Sequence, residues 1–232
     1  MRRTVLLLAV PALCLLGPSS SAAPTRDGIF IRSANSGSHL RLTVRGEQLF
    51  VNGRMQPSPP QGCRLMAGLR VAVCRLTGTG SVTIEMGPSN DKIEVIDRLP
   101  VPLVAYLGSG SDKLIGNGER DLCYPQGARR NRCIGNGGND VCISGPKNTD
   151  CVGGPGDDYC ETSNGSDGCW GGPGRDVCVM GGGQDGCHGD AGNDRLLGGP
   201  APDQLYGGSG HDYCNGGSGV GRSHACESGP RR

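Results

Sequence analysis

The pattern of apolar and polar positions changes character near the middle of the chain. Upstream, Leu40-Arg-Leu-Thr-Val44, Gln48-Leu-Phe-Val51, Leu69-Arg-Val-Ala-Val73 and Ser81-Val-Thr-Ile-Glu85 alternate apolar with polar residues. A period of two is the pattern of half-buried strands. Pro57-Ser-Pro-Pro-Gln61 interrupts them as a loop. From Leu107 onward the period becomes nine. A large or sulfur-bearing residue recurs at Leu114, Cys123, Cys133, Cys142, Cys151, Cys160, Cys169, Cys178, Cys187, Leu196, Leu205 and Cys214. Each follows a glycine-rich turn that ends in an aspartate or a substitute for one.

The nine-residue unit has a direct structural meaning. In Gly153-Gly-Pro-Gly-Asp-Asp158-Tyr-Cys160-Glu the first six residues make a tight turn, because glycine accepts conformations closed to other residues. The last three make a short strand whose middle side chain points inward and whose neighbours point outward. Two units complete one coil, so units two apart stack on the same edge at about 4.8 Å. The expected fold is all-β: a parallel β-roll, or β-solenoid, over residues 107–219. A small N-terminal β cap domain over 23–106 precedes it, and a C-terminal tail over 220–232 follows.

Composition agrees with a thin architecture. There are 43 glycines in 232 residues and only 3% aromatic residues, so no thick core can be filled. Glycine-rich sequence also suits a flexible linker, but a linker does not hold aspartate and cysteine in phase for a hundred residues. Arg2 and Arg3 followed by the apolar run Val5–Leu16 read as a signal peptide over 1–22, with Ser20-Ser-Ala22 before the cleavage point. A secreted, extracellular protein with no membrane span is expected. Of the 13 cysteines, Cys14 lies in the leader. The even number left points to disulfides, with a cysteine-lined metal site as the rival. Without Arg2 and Arg3, 21 basic side chains face 22 acidic ones, and no nucleic-acid footprint follows.

Gly135-Asn-Gly-Gly-Asn-Asp140-Val-Cys142-Ile, the unit from Gly153, Gly171-Gly-Pro-Gly-Arg-Asp176-Val-Cys178-Val and Gly207-Gly-Ser-Gly-His-Asp212-Tyr-Cys214-Asn each resemble the GGxGxDxUx repeat of the haemolysin-type (RTX) calcium-binding family, U being a large apolar residue. The chain is similar to a secreted, cysteine-rich member. Its two cysteines, Val-Thr-Ile strand and following repeats resemble the lead-in of actinobacterial members. The resemblance implies Ca2+ as the cofactor, held between stacked turns. Calcium takes about six to eight oxygens, which aspartates and turn carbonyls of adjacent coils supply.

Sorting the aspartates by edge separates two series. One edge carries Asp121, Asp140, Asp158, Asp176, Asp194 and Asp212 without exception. The other carries Asp112, Asn131, Thr149, Asp167, Asp185, Asp203 and Gly221. Its turns Gln126-Gly-Ala-Arg-Arg-Asn131 and Ser144-Gly-Pro-Lys-Asn-Thr149 lack the glycine pattern and bring cations. The candidate ligands are the six aspartates of the first edge, then Asp167, Asp185 and Asp203, with Gly153, Gly171 and Gly207 in the turns. Five ions at most are expected on the first edge and two on the second. Turn-capping alone is the rival for any single aspartate, but not for six in phase.

The cysteines occupy positions that a leucine-like residue normally fills. Pairing neighbours gives Cys123–Cys133, Cys142–Cys151, Cys160–Cys169, Cys178–Cys187 and Cys214–Cys226, with Leu196 and Leu205 replacing one whole pair. Cys63–Cys74 joins two upstream strands. A frame shifted by one strands Cys123 and Cys187, and a third option links cysteines 18 apart. The neighbour frame is expected, although spacing alone does not decide connectivity.

No HExxH helix or GxSxG elbow occurs in the N-terminal half, where His39 is the sole histidine. His188, His211 and His224 read as surface residues. A non-catalytic protein is expected, ahead of a hydrolase with trailing repeats. The outward positions Leu122, Tyr124, Val141, Ile143, Tyr159, Val177, Val179, Leu197 and Tyr213 form an apolar stripe, a surface for self-association, adhesion or another partner.

Overall fold

A computed structural model describes residues 28–33, 37–55, 63–66, 70–76, 80–127, 130–219 and 221–227. The leader and the Pro57–Gln61 loop lie outside the described residues. The strand alternation and the nine-residue period resolve into two facing sheets, with no helix among the described residues, wound as a parallel β-solenoid of about eight turns.

The nine-stranded sheet runs Ile29–Arg32, Val82–Glu85, Leu103–Gly108, Asp121–Pro125, Val141–Ile143, Tyr159–Glu161, Val177–Val179, Arg195–Leu197 and Tyr213–Asn215, every pair parallel. The twelve-stranded sheet faces it with Lys92–Val95, Lys113–Ile115, Asn131–Ile134, Thr149–Val152, Gly168–Pro173, Gly186–Ala191, Gln204–Ser209 and Arg222–His224. At its upstream end His39–Arg45 pairs parallel with Lys92–Val95. From there Gln48–Asn52, Val71–Arg75 and Cys63–Leu65 extend the sheet as antiparallel strands.

The parallel winding is therefore under way upstream of Leu107. Its coils are longer there: stacked positions are separated by 21 residues from Asp91 to Asp112, 19 from Asp112 to Asn131, and 18 between Asp140 and Asp158. Two nonapeptides make 18, so only the later coils keep a visible period.

The core is one residue thick from each sheet and changes chemistry along its axis. The upstream coils bury Ile31, Leu40, Leu42, Leu49, Ile84 and Ile93. From Cys123 onward sulfur replaces branched carbon until Leu196 and Leu205, both fully buried. Register aligns these positions strand by strand, as in Cys142 opposite Cys160 and Cys151 opposite Cys169.

Among the described residues four bridges are present: Cys63–Cys74, Cys123–Cys133, Cys142–Cys151 and Cys214–Cys226. The structure differs from the expected frame at the remaining four, where Cys160, Cys169, Cys178 and Cys187 are buried thiols. Crowding gives the physical reason that proximity alone does not select a partner. The sulfurs of Cys142, Cys151 and Cys160 lie within 4.8 Å of one another, and so do those of Cys160, Cys169 and Cys178.

Candidate metal centre

The turns stack because each aspartate hydrogen-bonds to the next coil. On the first edge the Asp121 N–H donates to Asp140 Oδ1, Asp140 to Asp158 and Asp158 to Asp176, each at 2.7 Å. Asp176 donates to Asp194 at 2.8 Å and Asp194 to Asp212 at 2.9 Å. The column ends where the Asp212 N–H donates to Glu227 Oε2 at 2.6 Å. All six aspartates are buried, each opening or immediately preceding a strand of the nine-stranded sheet.

One oxygen of each carboxylate is thus consumed by the scaffold. The other, Oδ2 of Asp140, Asp158, Asp176 and Asp194, is buried without a hydrogen-bond partner. At Asp121 the roles reverse: Oδ2 accepts from the Asn117 N–H at 2.8 Å and Oδ1 is the orphan. Buried polar atoms are rarely left unsatisfied, and a series in register calls for an explanation. The electrostatics point the same way. Burial raises the Asp140 carboxyl to about 8, Asp158 and Asp176 to about 7, and Asp121 to about 6. Each carboxylate needs a proton or a cation to remain in place.

The space beside each Oδ2 is set by the first residue of the turn. It is glycine at Gly116, Gly135, Gly153, Gly171, Gly189 and Gly207. A Cβ built on Gly135 would abut Asp140 Oδ2 and lie 2.9 Å from the Gly153 carbonyl oxygen of the next coil. A carboxylate and a carbonyl from successive coils therefore converge on one small space, the donor set of a hard divalent cation. Calcium fits. It would be held by the aspartates and turn carbonyls of adjacent coils, and would supply the charge that the buried carboxylates lack.

A substitution follows directly. Gly153→Ala drives a methyl into the Asp158 carboxylate, and about 1–3 kcal/mol of destabilisation is expected. The bound-ion count should fall by at least one. Gly118→Ala, with nothing within 4 Å of the added methyl, should leave both unchanged. Calorimetric titration and thermal melts of the two variants distinguish them, and equal behaviour would sink the assignment.

The second edge has the same aspartate ladder but a different lining. Asp91 donates to Asp112 at 2.8 Å, Asp112 to Asn131 at 2.9 Å, Asp167 to Asp185 at 2.8 Å and Asp185 to Asp203 at 3.0 Å. Between them Asn131 and Thr149 bring no carboxylate. In the five-residue-earlier position where the first edge has glycine stand Met86, Leu107, Thr162 and Met180, all buried. Only Asp203 has its glycine, Gly198. Arg130, from one of the irregular turns, pairs with Asp150 at 2.9 and 3.0 Å.

Five participants are not among the residues that the sequence pattern singles out. Asp91 belongs to the second column, and its signal was the degenerate Ser89-Asn-Asp91-Lys-Ile93. Gly116, Gly135 and Gly189 match the predicted Gly153, Gly171 and Gly207 in position. Glu227 closes the first column from the tail, 15 residues past Asp212, and no periodic signal announces it.

The model for the RTX calcium-binding nonapeptide repeat, in four copies, matches residues 188–221. The chain thus carries RTX-type calcium-binding nonapeptide repeats on a β-solenoid. The matched span holds Asp194, Asp203 and Asp212 from both columns, and the first column repeats its aspartate hydrogen bond in every coil upstream to Asp121. The RTX roll is thus a calcium-binding β-roll. A search of curated proteins returns no match. Among the described residues, no helix is long and apolar enough to cross a membrane.

Proposed function

We propose that this RTX-type protein is a secreted, non-catalytic calcium-binding roll. In this reading its ions lie along the first aspartate column and its core is braced by disulfides. The observation that carries it is the series of buried, partnerless carboxylate oxygens at Asp140, Asp158, Asp176 and Asp194, each beside a glycine turn. Five stacked acid pairs, Asp121/Asp140 through Asp194/Asp212, define five sites on that column.

The second column holds fewer ions, because Thr162 and Met180 fill the position beside Asp167 and Asp185. The leader over 1–22 exports the chain. In that oxidising setting Cys160 pairs with Cys169 and Cys178 with Cys187, completing the frame of the bridges on either side. A role at the cell surface follows from a rigid calcium-stapled rod better than a hydrolase role does.

Calorimetric titration of the oxidised mature protein tests the calcium assignment. The expected result is about five ions on the first column, by the count of stacked pairs, with a smaller number from the second. No saturable calcium uptake, by calorimetry and by equilibrium dialysis, or a calcium-soaked crystal with equal occupancy on both edges, would overturn it.

A further inference from the structure

The outer face of the twelve-stranded sheet carries a charge pattern that calcium binding does not use. His39, Lys92, Lys113 and Arg132 stand directly opposite one another in four adjacent parallel strands. Their spacing is that of the strands, about 4.8 Å. Like charges directly opposite destabilise a sheet. Glu94 alone serves His39, Lys92 and the neighbouring Arg41, at 3.2, 3.3 and 3.5 Å.

Lys113 and Arg132 have no ion-pair partner among the described residues. The carboxylate next in their row, Asp150, is engaged by both Nε and Nη2 of Arg130. At the antiparallel end, Arg45, Arg64 and Arg75 surround an open concavity with only Glu47 among them. The whole chain has a formal net charge of +1. The local excess arises because so many acids are folded into the turns.

We propose that this face binds a linear anionic polysaccharide, its carboxylate or sulfate groups running along the roll axis at one cation per coil. Beside the cationic row runs an apolar one, Ile115, Ile134 and Val152, one outward position further along the same strands. That row suits the C–H faces of sugar rings. It continues as Trp170, His188 and Tyr206, whose rings stack on each other at 6.1 and 4.6 Å. His188 and Tyr206 each have a ring on either side and Trp170 has one on a single side, so a base has little free ring to stack on. This disfavours nucleic acid as the occupant. The attraction is between exposed charges and weakens with salt.

The test uses the full oxidised protein in calcium against immobilised dextran sulfate. Binding at low salt is expected, with affinity falling about tenfold or more as salt rises from about 50 to about 200 mM. Lys113→Glu with Arg132→Glu should lower affinity about tenfold or more. Arg195→Glu, on the outer face of the opposite sheet over Tyr213, should not. Lys113→Gln with Arg132→Gln, its circular dichroism matched to the unaltered protein, gives a smaller loss in the same direction and controls for misfolding. Absence of binding, or an equal loss in Arg195→Glu, overturns the proposal. DNA outcompeting the glycan at equal charge also overturns it, assigning the face to nucleic acid.

Discussion

Chelating calcium from the oxidised protein should leave much of its β-sheet signal in place, and adding reductant to the chelated protein should then abolish it. The argument is one of magnitudes. The bridges close short loops, with sequence separations of 9 to 12 residues. The chain-entropy model gives each about 2.5 kcal/mol, so four together contribute on the order of 10 kcal/mol. That matches the whole stability of an ordinary domain.

Each calcium ion at a hundredfold excess over its dissociation constant adds about 2.7 kcal/mol, a sum that chelation removes. What remains is a sheet pair stapled across its thin core at Cys123–Cys133 and Cys142–Cys151, and at its downstream end by Cys214–Cys226. Far-UV circular dichroism with chelator, with reductant and with both checks the expectation. A random-coil spectrum in chelator alone would show that calcium creates this roll rather than tunes it.

The stability of the calcium-free roll should fall as pH rises, the reverse of most proteins rich in paired carboxylates. Burial raises the folded-state carboxyls of Asp121, Asp158, Asp176 and Asp140 from an ordinary 3.8 to about 6, 7, 7 and 8. A raised folded-state value means that the folded form holds its protons more tightly than the unfolded form. The associated stability is fully present below about pH 4 and is lost as pH climbs through about 6 to 8.

In chelator, thermal melts between about pH 5 and about pH 8.5 should show Tm falling by on the order of 10 °C. With calcium in excess the slope should reverse, because deprotonated carboxylates become ligands as pH rises and the ion supplies the missing charge. A chelated Tm that is flat or rises across this window would show that the aspartate columns are not held in this buried state.

The two expectations draw on different parts of the chain's legibility. The alternation from Leu40 to Glu85 and the nine-residue period from Leu107 report strands, coil length and facing directly, because each turn is repeated locally. The interruption of the cysteine series by Leu196 and Leu205 pointed to a pairing frame, and bridges occur in that frame at Cys123–Cys133 and Cys142–Cys151. Around Cys160 to Cys187 the frame is not decided by proximity, because three sulfurs crowd within 4.8 Å.

The sequence by itself determined a parallel solenoid, two aspartate columns of different composition, and sulfur where leucine is usual. These are short-range properties, carried by residues nine or 18 apart. The tertiary structure decided where the winding begins, since strand Ile29–Arg32 finds its partner Val82–Glu85 across a separation of 53 residues with no repeat to signal it. It placed Asp91 under Asp112 through a coil of 21 residues, and brought Glu227 back onto Asp212 from the tail. It also supplied the physical difference between the edges, which rests on what stands beside each carboxylate: glycine along one column, and Met86, Leu107, Thr162 and Met180 along the other. Periodicity reports which residues share a column; the volume left beside them depends on side chains that only the packed coils bring together.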